Sequence, residues 1–369
     1  GRCWKRAGLQ EGPLGSCGNL LRKNYENKKV LITGHTGFKG SWLCHLLKGF
    51  GADVYGYSLE PPTDPNLYSI ANVEDGICSE IGDIRDFERL SDFVSDVGPE
   101  IVIHMAAQPL VIAGYERPKE TYETNVMGTV NILECVRTTK TVRSFLNVTT
   151  DKVYKNTESG REFIESDPLD GHDPYSNSKS CSELVTHSYK KSFFANGGCA
   201  VSTARAGNVI GGGDFSDMRI IPDSVRAAMS SEPLVLRNPG SVRPYQHVLE
   251  PLIAYLMIAD RQLHDPKLSG YYNVGPLRED CVTTMELAEL FRKHWGGMKE
   301  PVIQGSNGPH EAGYLRLNTN LIKSIIGFES RWKIDKAIEK TVEWSKIWVS
   351  GGDVRDCMDR QIREYLGSD

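Results

Sequence analysis

Short apolar segments alternate with amphipathic segments in regular order between residues 29 and 207, and no other property of the sequence limits its possible folds as strongly. The apolar segments contain Val or Ile, as strands commonly do, and the amphipathic ones carry apolar residues at helical spacing. Strands that alternate with helices pair in parallel, because each helix returns the chain across the sheet. The pattern therefore predicts an α/β fold with a doubly wound parallel sheet. The predicted strands read KKVLITG, ADVYGYSL, ICSEIGD, EIVIHMAA, SFLNVTT and AVSTARAG.

The regular order weakens after Gly207, where glycine-rich segments separate shorter elements. A chain of 369 residues is expected to form about two domains. We predict a first domain over residues 28–206 and a smaller one over residues 207–369, with a helix near residues 250–263 that packs back on the first. Residues 1–27 lack clear periodicity and include GPLGS, which is typical of expression tags, so we treat them as a tail outside the fold.

Composition and charge argue against several classes of protein. The formal net charge is −5 and the pI is about 6.0, which does not favour a nucleic acid partner. No run of apolar residues reaches the ~18 that a membrane span needs. The nine cysteines are scattered and never spaced C-x-x-C, which argues against a zinc site or a disulfide framework and predicts a cytoplasmic protein. We also find no metal-ligand spacing among His, Cys and Asp residues.

Three glycines occupy the junction between the first predicted strand and the first helix. Gly34, Gly37 and Gly40 read G-x-x-G-x-x-G in TGHTGFKG. Glycines at such a junction let backbone N–H groups approach a pyrophosphate, and the N-terminus of the following helix favours its negative charge. The spacing differs from G-x-G-x-x-G, but its place between a strand and a helix predicts dinucleotide binding.

Two further positions bear on the adenosine end of such a dinucleotide. The acidic residue that commonly ends the second strand is missing, and Ser58 stands there instead, so this position does not distinguish NAD from NADP. Asp83 follows the third strand, where it can hydrogen-bond the adenine amino group, shape a turn or cap a helix. These roles of Asp83 stay open.

Tyr175 and Lys179 lie four residues apart and share one face of a predicted helix. An ammonium beside a phenol lowers the pKa of the phenol, so that Tyr175 can exchange a proton with a substrate hydroxyl. The same Y-x-x-x-K spacing occurs at residues 25–29, ahead of the fold, and at residues 115–119, where Pro118 interrupts the helix. We predict that Tyr175 and Lys179 are the catalytic pair, because a strand that ends in hydroxyl residues precedes their helix.

Several segments together resemble the extended short-chain dehydrogenase/reductase family and, within it, the nucleotide-sugar dehydratases that act on CDP-glucose. The resemblance runs from about Lys28 to Trp348. It implies a Rossmann-type domain of about seven parallel strands with a smaller C-terminal substrate-binding domain, NAD as cofactor, CDP-glucose as substrate, and a homodimer or homotetramer. The segments are TGHTGFKGSWL, AAQPLV, ETYETNVMGTVNILE, TTDKVY, DPYSNSK, ELVTHSY, ARAGNVIGGGDF and RPYQHVLEPL.

The resemblance also assigns residues to the cofactor and the substrate. The implied cofactor residues are Gly34, Thr36, Gly37, Phe38, Lys39, Gly40, Ser58, Asp83, Ile84, Ala106, Ala107, Asn125, Tyr175 and Lys179. The implied substrate residues are Gln108, Asn208, Arg219, Arg237, Arg243 and Tyr314. Arginine suits the diphosphate because it forms bidentate, charge-assisted hydrogen bonds. The sequence departs from the related enzymes at Ile112, where they carry an arginine.

The catalytic residues implied by the resemblance are Thr150, Tyr175, Lys179 and a charged pair, Asp151 and Lys152, that follows Thr150. Oxidation of the sugar at C4 acidifies the C5 proton, so a base can remove it while an acid protonates the departing C6 hydroxyl. Similarity to the family makes Asp151 the acid. Lys152 is the candidate base and must be neutral to act, and its alternative role is that of a structural partner for Asp151.

These features predict an NAD-dependent 4,6-dehydratase that converts CDP-glucose to its 4-keto-6-deoxy product. The enzyme alternatives are a nucleotide-sugar 4-epimerase or reductase and a dehydratase for another nucleotide hexose. An epimerase needs Thr150, Tyr175 and Lys179 but no adjacent acid and base. A third alternative, an NAD-binding sensor, needs none of the catalytic residues.

Overall fold

The structure, a computed structural model, describes residues 15–305 and 313–367. Its strands are β1 (Lys29–Thr33), β2 (Asp53–Ser58), β3 (Cys78–Ile81), β4 (Ile101–His104), β5 (Ser144–Thr150), β6 (Ala200–Ala206), β7 (Val209–Ile210), β8 (Val235–Leu236), β9 (Val242–Arg243), β10 (Gln246–His247), β11 (Tyr271–Val274), β12 (Val282–Thr283) and β13 (Val302–Ile303). Its α-helices are α1 (Gly15–Tyr25), α2 (Phe38–Gly49), α3 (Leu67–Ile70), α4 (Phe87–Val97), α5 (Val111–Glu116), α6 (Pro118–Tyr122), α7 (Gly128–Thr138), α8 (Pro174–Phe193), α9 (Ile220–Ser230), α10 (Leu249–His264), α11 (Thr284–Trp295), α12 (Asn320–Ile325), α13 (Ile334–Val349) and α14 (Val354–Leu366).

Seven parallel strands form the central sheet, in the order β11-β6-β5-β4-β1-β2-β3. The chain adds β2 and β3 on one side of β1, and it adds β4, β5 and β6 on the other. The strand order therefore reverses between β1 and β4, where Thr33 pairs with His104. Ligands of such sheets bind at the carboxyl ends of the strands next to this reversal. The predicted α/β fold, a doubly wound Rossmann-type sheet of about seven strands, is confirmed.

The strands β5 and β6 are buried at every residue. Successive side chains point to opposite faces of a sheet, and accordingly Leu146 and Val148 pack in one core while Phe145 packs in the other. Because helices cover both faces of a parallel sheet, its strands do not alternate between buried and exposed residues, and the polar residues of β5 and β6 are buried as well. This double burial gives the carboxyl end of β5 a rigid support.

The chain returns to this sheet after residue 206. Helix α10, predicted near residues 250–263, packs against β5 and β6. Strand β11, which the sequence analysis did not predict, adds the seventh strand beside β6, with Tyr272 opposite Ala204. The first domain therefore contains two elements from beyond the predicted boundary.

A second, smaller core is built from elements that follow β6. Its short strands pair two by two, β7 with β10, β8 with β13 and β9 with β12. Helices α9, α11 and α13 supply buried apolar side chains, among them Val225, Phe291 and Ile338. Since β7 begins only three residues after Ala206, the last residue of β6, this core lies at the carboxyl edge of the sheet.

Residues 15–27 correct the prediction that the first 27 residues lie outside the fold. Helix α1 packs on α10 and α14. Leu21 is 3% exposed and Tyr25 is fully buried, and the Tyr25 hydroxyl donates a hydrogen bond to the Leu256 oxygen at 2.9 Å. The helix is therefore part of the main core. Residues 1–14 lie outside the described residues.

Three further observations concern the described part of the chain. None of its helices combines the length and the apolar character that crossing a membrane requires. Nowhere in residues 15–305 and 313–367 do His, Cys, Asp and Glu side chains form a group that could hold a metal ion. Its cysteines from Cys44 to Cys357 are free thiols.

Candidate active site

The glycine turn joins β1 to α2 beside the point where the strand order reverses. Gly34 has a φ of +81°, and a Cβ there would lie 2.8 Å from the Ala106 nitrogen. A Cβ on Gly40 would lie 2.2 Å from the Gly34 oxygen, so the turn and α2 can approach this closely only with glycine. A Cβ on Gly37, the residue that precedes α2, would contact only the Gly34 oxygen, at 3.5 Å. The first N–H groups of α2, which no side chain caps, and the space at Gly37 fit a pyrophosphate.

Cationic side chains surround this turn. Burial, and after it the positive charges of Lys179 and Arg219, lower the pKa of Lys39 to about 7. Arg219 comes from the second core, directly before α9, and forms an ion pair with Asp214 at 3.1 Å. A cluster of positively charged side chains attracts an anion such as the pyrophosphate of a dinucleotide. The turn and these side chains together fit NAD.

The predicted adenosine end of the site lies at the ends of β2 and β3. Thr36 Oγ1 lies 2.9 Å from Ser58 Oγ and donates to the Leu59 oxygen at 2.8 Å. Asp83 accepts a hydrogen bond from the Arg85 N–H at 2.9 Å and forms an ion pair with the Arg85 guanidinium, whose hydrogen bonds hold the pKa of Asp83 below its usual value. Asp83 thus shapes a turn here, and adenine binding by Asp83 stays a prediction.

The remaining predicted cofactor residues lie along the same edge of the sheet. The Ala106 N–H donates to Thr33 Oγ1 at 3.2 Å, which fixes the segment after β4 against β1. Ile84 is buried, and a Cβ on Gly128 would lie 2.7 Å from its Cγ2, so α7 approaches this residue closely. Phe38 begins α2, and Ala107 follows Ala106.

Tyr175 and Lys179 lie on one face of α8, which packs against β5 and the turn that follows it. Tyr175 lies close enough to Thr150 for the Thr150 hydroxyl to oppose the rise in the pKa of the phenol. Lys179 Nζ donates to the Val148 oxygen at 3.2 Å. The structure therefore brings the three predicted residues of the oxidation step together at the carboxyl end of β5.

The pKa values of this pair differ from the prediction. Burial raises the pKa of Tyr175 to about 12, and the largest opposing influences are the Thr150 hydroxyl and the charge of Arg219. Burial also lowers the pKa of Lys179 to about 8, against the opposing charge of Glu183. The prediction that Lys179 lowers the pKa of Tyr175 is wrong for this structure, because the Lys179 ammonium is directed at a backbone oxygen of β5 and burial dominates.

Asp151 lies in a 3-10 turn (Asp151–Val153) directly after β5 and is 1% exposed. Its Oδ1 accepts from the Thr150 hydroxyl at 3.0 Å, and its Oδ2 has no hydrogen-bond partner in the described parts of the chain. Burial raises the pKa of Asp151, against the charges of Lys152 and Arg243. A carboxyl that keeps its proton to higher pH can act as a general acid. The proximity of Lys152 is compatible with both of its predicted roles, base and structural partner.

Gln108 and Asn125 bond to each other. The Gln108 N–H donates to Asn125 Oδ1 at 2.8 Å, and Asn125 Nδ2 donates to the Gln108 oxygen and to Ser178 Oγ. The Gln108 side chain donates to Thr121 Oγ1 at 2.9 Å and accepts from the Leu110 N–H at 2.6 Å. These bonds hold the segment after β4 against α8. Contacts of Asn125 with the cofactor and of Gln108 with the substrate stay predictions.

One of the predicted substrate residues lies near the acid, and two others belong to segments beside it in the chain or the sheet. Arg243 is 4% exposed and close enough to Asp151 for its charge to lower the pKa of that carboxyl. Tyr314 forms an isolated bridge with Val242, the neighbour of Arg243. Asn208 is half-buried just after β6, the strand that pairs with β5.

The second core presents two more of the predicted arginines. Arg219 lies near Tyr175, since its charge lowers the pKa of that phenol. Arg237 is exposed, and its guanidinium donates to the sulfur of Met218 at 3.1 Å. Ile112, which replaces an arginine of the related enzymes, is half-buried in α5, a helix packed against α8. The assignment of these positions to the substrate stays a prediction.

A buried ion pair behind the turn Asp151–Val153 was not predicted from the sequence. Glu183 and Arg205 are 1% and 3% exposed, and their charged groups lie 2.9 Å apart. Glu183 stands four residues after Lys179, on the same face of α8. That spacing, together with an arginine inside the otherwise uncharged strand AVSTARAG, was the available signal.

Comparisons with known proteins agree with this geometry. Residues 30–275 match the NAD dependent epimerase/dehydratase family, and the matched segment ends one residue after β11. The CDP-glucose 4,6-dehydratase of Salmonella typhimurium is 44% identical over 356 residues, which cover 95% of this chain and 99% of that protein. A dTDP-glucose 4,6-dehydratase of Xanthomonas campestris is 27% identical and covers 87% and 95% of the two chains.

Solved structures of similar proteins share the fold. The UDP-glucose 4-epimerase of Thermus thermophilus in complex with NAD has a TM-score of 0.73 and 26% identity, covering 86% of this chain and 98% of its own. The dTDP-glucose 4,6-dehydratase of Bacillus anthracis in complex with NAD has a TM-score of 0.72 and 24% identity, covering 86% and 96%. At that identity, the second similarity establishes the fold alone.

Proposed function

The chain belongs to the NAD dependent epimerase/dehydratase family, and we propose that it is a CDP-glucose 4,6-dehydratase. It would remove water from CDP-D-glucose to give CDP-4-dehydro-6-deoxy-D-glucose, a step of deoxysugar biosynthesis. The observation that carries the proposal is the Asp151–Lys152 pair, which follows Thr150 in one turn beside Tyr175. The 44% identity to the Salmonella dehydratase supports the choice of substrate.

The cofactor of the family is NAD, and the residues around the glycine turn fit it. The N–H groups at the start of α2, with Lys39 and Arg219, would hold the pyrophosphate, and Lys179 would hold the nicotinamide ribose. Bound there, NAD would supply a reversible hydride acceptor for the oxidation at C4 and the reduction at C6, and the positive charge of its oxidised form would favour the Tyr175 phenolate.

The proton transfers belong to the side chains at the end of β5. Tyr175, which lies near Thr150, removes the proton of the C4 hydroxyl as the ketone forms. Lys152 is the proposed base for the C5 proton, which the new ketone has made acidic. Asp151 donates its proton to the C6 hydroxyl, which leaves as water. The raised pKa of Asp151 suits this step, because an acid must still carry its proton when the leaving group departs.

An epimerase would use the same Thr150, Tyr175 and Lys179 but has no leaving group to protonate. A buried carboxyl with a raised pKa and an unpartnered oxygen is costly for a protein that does not use it. Asp151 therefore favours the dehydratase over the epimerase.

We also propose that the enzyme works in the cytoplasm as a homodimer or homotetramer. The free thiols among its described cysteines suit a reducing compartment. Exposed apolar side chains on the helices that cover the sheet, such as Met127, Leu184 and Phe193, suit a contact with a second copy.

The proposal is tested with CDP-, dTDP-, GDP- and UDP-glucose, each carrying deuterium at C4, in the presence of NAD. We expect a 4-keto product, detected by its absorbance in alkali, from CDP-glucose, with the deuterium in the C6 methyl group by mass spectrometry. Turnover of a different nucleotide alone would contradict the CDP assignment and keep the mechanism. Release of the deuterium to solvent would contradict the mechanism itself.

A further inference from the structure

The ion pair between Glu183 of α8 and Arg205 of β6 is buried, and both of its charged groups also bond to other residues. Glu183 Oε2 accepts from the Arg205 guanidinium at 2.9 Å and from Thr203 Oγ1 at 2.8 Å. Arg205 Nη1 donates to the Glu165 oxygen at 2.9 Å. A buried ion pair of this kind commonly adds little net stability, because desolvation offsets its attraction. Its retention in the core therefore calls for another role.

The carboxylate of this pair also holds the residue that precedes the catalytic turn. Thr149 Oγ1 donates to Glu183 Oε1 at 2.5 Å. Thr149 is the neighbour of Thr150, whose hydroxyl donates to Asp151 Oδ1 and lies near Tyr175. The beginning of the turn is thus fixed to the helix that carries the catalytic tyrosine.

The guanidinium of the pair holds the residue that follows the same turn. Arg205 Nη1 donates to the Tyr154 hydroxyl at 2.9 Å, and that hydroxyl donates to Asn273 Oδ1 at 2.5 Å. Tyr154 is 2% exposed and directly follows Val153, the last residue of the turn. The Tyr154 ring stacks on Phe163 with centroids 4.9 Å apart. One ion pair therefore reaches both ends of the segment that carries Asp151 and Lys152.

We propose that Glu183, Arg205, Thr149 and Tyr154 are positioning residues for the dehydration, which hold the Asp151–Lys152 turn at the distance from the sugar that the elimination needs. This inference rests on the proposed function. A displacement of the catalytic acid by 1 Å can lower the reaction rate about 100-fold. Fixing both ends of the three-residue turn therefore keeps Asp151 in the position that the reaction needs.

Two variants each remove the hydrogen bond at one end of the turn and change the shape of the side chain little. Tyr154→Phe removes the hydroxyl that bonds Arg205, and Thr149→Val removes the hydroxyl that bonds Glu183. The matched control is Tyr25→Phe, which also removes a hydrogen bond from a buried phenol but lies in α1, away from the turn. Replacement of Glu183 itself is less informative, because it leaves a buried guanidinium without its carboxylate.

We expect kcat with CDP-glucose to fall about tenfold or more in Tyr154→Phe and Thr149→Val. In both variants KM and the Kd for NAD should stay within about twofold of the wild-type values. The control Tyr25→Phe should keep kcat within about twofold of the wild-type value. Amide hydrogen exchange at residues 151–154 of the unliganded variants should quicken several-fold relative to the wild type and to Tyr25→Phe. Kinetics and exchange equal to those of Tyr25→Phe would overturn the inference. If the wild type dehydrates no sugar nucleotide, the proposed function fails, and the exchange rates alone still decide whether these residues hold the turn.

Discussion

Asp151 combines low exposure, a raised pKa and an Oδ2 atom that has no hydrogen-bond partner among the described residues, and each property follows from its place at the end of β5. The strand is buried on both faces, so the first residues after it are still inside the protein. A carboxylate there loses its hydration, which favours the neutral acid. The property that suits Asp151 for catalysis therefore comes with a cost in stability.

We predict that Asp151→Asn is far less active but more stable than the wild type. A general acid contributes about 10²- to 10⁴-fold, so kcat should fall at least about 100-fold, while the Kd for NAD stays within about threefold. Because the pKa of Asp151 is raised in the fold, the folded protein binds this proton more tightly than the unfolded chain does. The destabilisation is absent below about pH 4, where both states are protonated, and grows as the pH rises through the raised pKa.

The melting temperature of Asp151→Asn should accordingly exceed that of the wild type at pH 7, and this gain should vanish below about pH 4. Asp170→Asn is the control, because the Asp170 side chain is 59% exposed and its replacement should change neither kcat nor stability appreciably. An equal loss of turnover and NAD binding in Asp151→Asn would mean that Asp151 is a structural residue.

Helix α8 shows how one element organises the site. It is 20 residues long and carries Tyr175, Lys179 and Glu183 at intervals of four residues. All three therefore lie on the helix face that packs against β5 and the turn Asp151–Val153. Its start is set by Asp173, whose side chain accepts hydrogen bonds from the N–H and the hydroxyl of Ser176. Since Tyr175 lies in the first turn of the helix, the cap controls the placement of the phenol.

We predict that Asp173→Ala lowers kcat more than its effect on stability explains. Loss of an N-cap costs about 0.5–2 kcal/mol of unfolding free energy and frays the first turn, which here holds Tyr175. Asp353→Ala is the matched control, because Asp353 caps α14 by accepting from the Arg355 and Asp356 N–H groups. Urea unfolding should show similar losses for the two variants, and steady-state kinetics should show a fall in kcat, several-fold or more, for Asp173→Ala. A similar kcat in both would contradict a role of this cap in catalysis.

The whole molecule is held together by segments that return to the main sheet from distant parts of the sequence. Strand β11 and helix α10 come from beyond residue 206, and α1 comes from before residue 28. Their buried side chains share one apolar core with β1 and β5. The chain before residue 206 and the chain after it are thus joined by packing, and the chain passes between the two domains more than once.

We predict that Leu21→Ala destabilises the protein, although Leu21 lies in the segment that the sequence predicts to be a tail. Leu21 is 3% exposed, and truncation of a buried leucine costs about 2–5 kcal/mol. Leu20→Ala is the control, because Leu20 is 39% exposed on the other side of α1 and should cost at most about 0.5 kcal/mol. The free energy of unfolding in urea measures both. Equal stability of the two variants would mean that α1 does not pack as described.

Much of the first domain could be predicted from the sequence because its signals are local. A buried parallel strand is a short apolar run, a helix repeats with its own period, and the glycines at residues 34–40 stand between the two. Tyr175 and Lys179 carry a helical spacing that places them on one face in any α-helix. Such patterns depend on neighbours in the chain, so they specified the doubly wound sheet, the glycine turn and the helix face that Tyr175 and Lys179 share.

The rest depended on contacts between residues far apart in the sequence. Burial raises the pKa of Tyr175, and burial is a property of the assembled core. The prediction of a lowered pKa considered only the neighbouring lysine and was therefore wrong. Strand β11, helix α1 and the Glu183–Arg205 pair gain their roles only from partners many residues away. The sequence by itself determined which local elements form and which chemical groups they carry. Tertiary packing decided which of those groups lose their water and meet, because desolvation and contact exist only once distant segments come together.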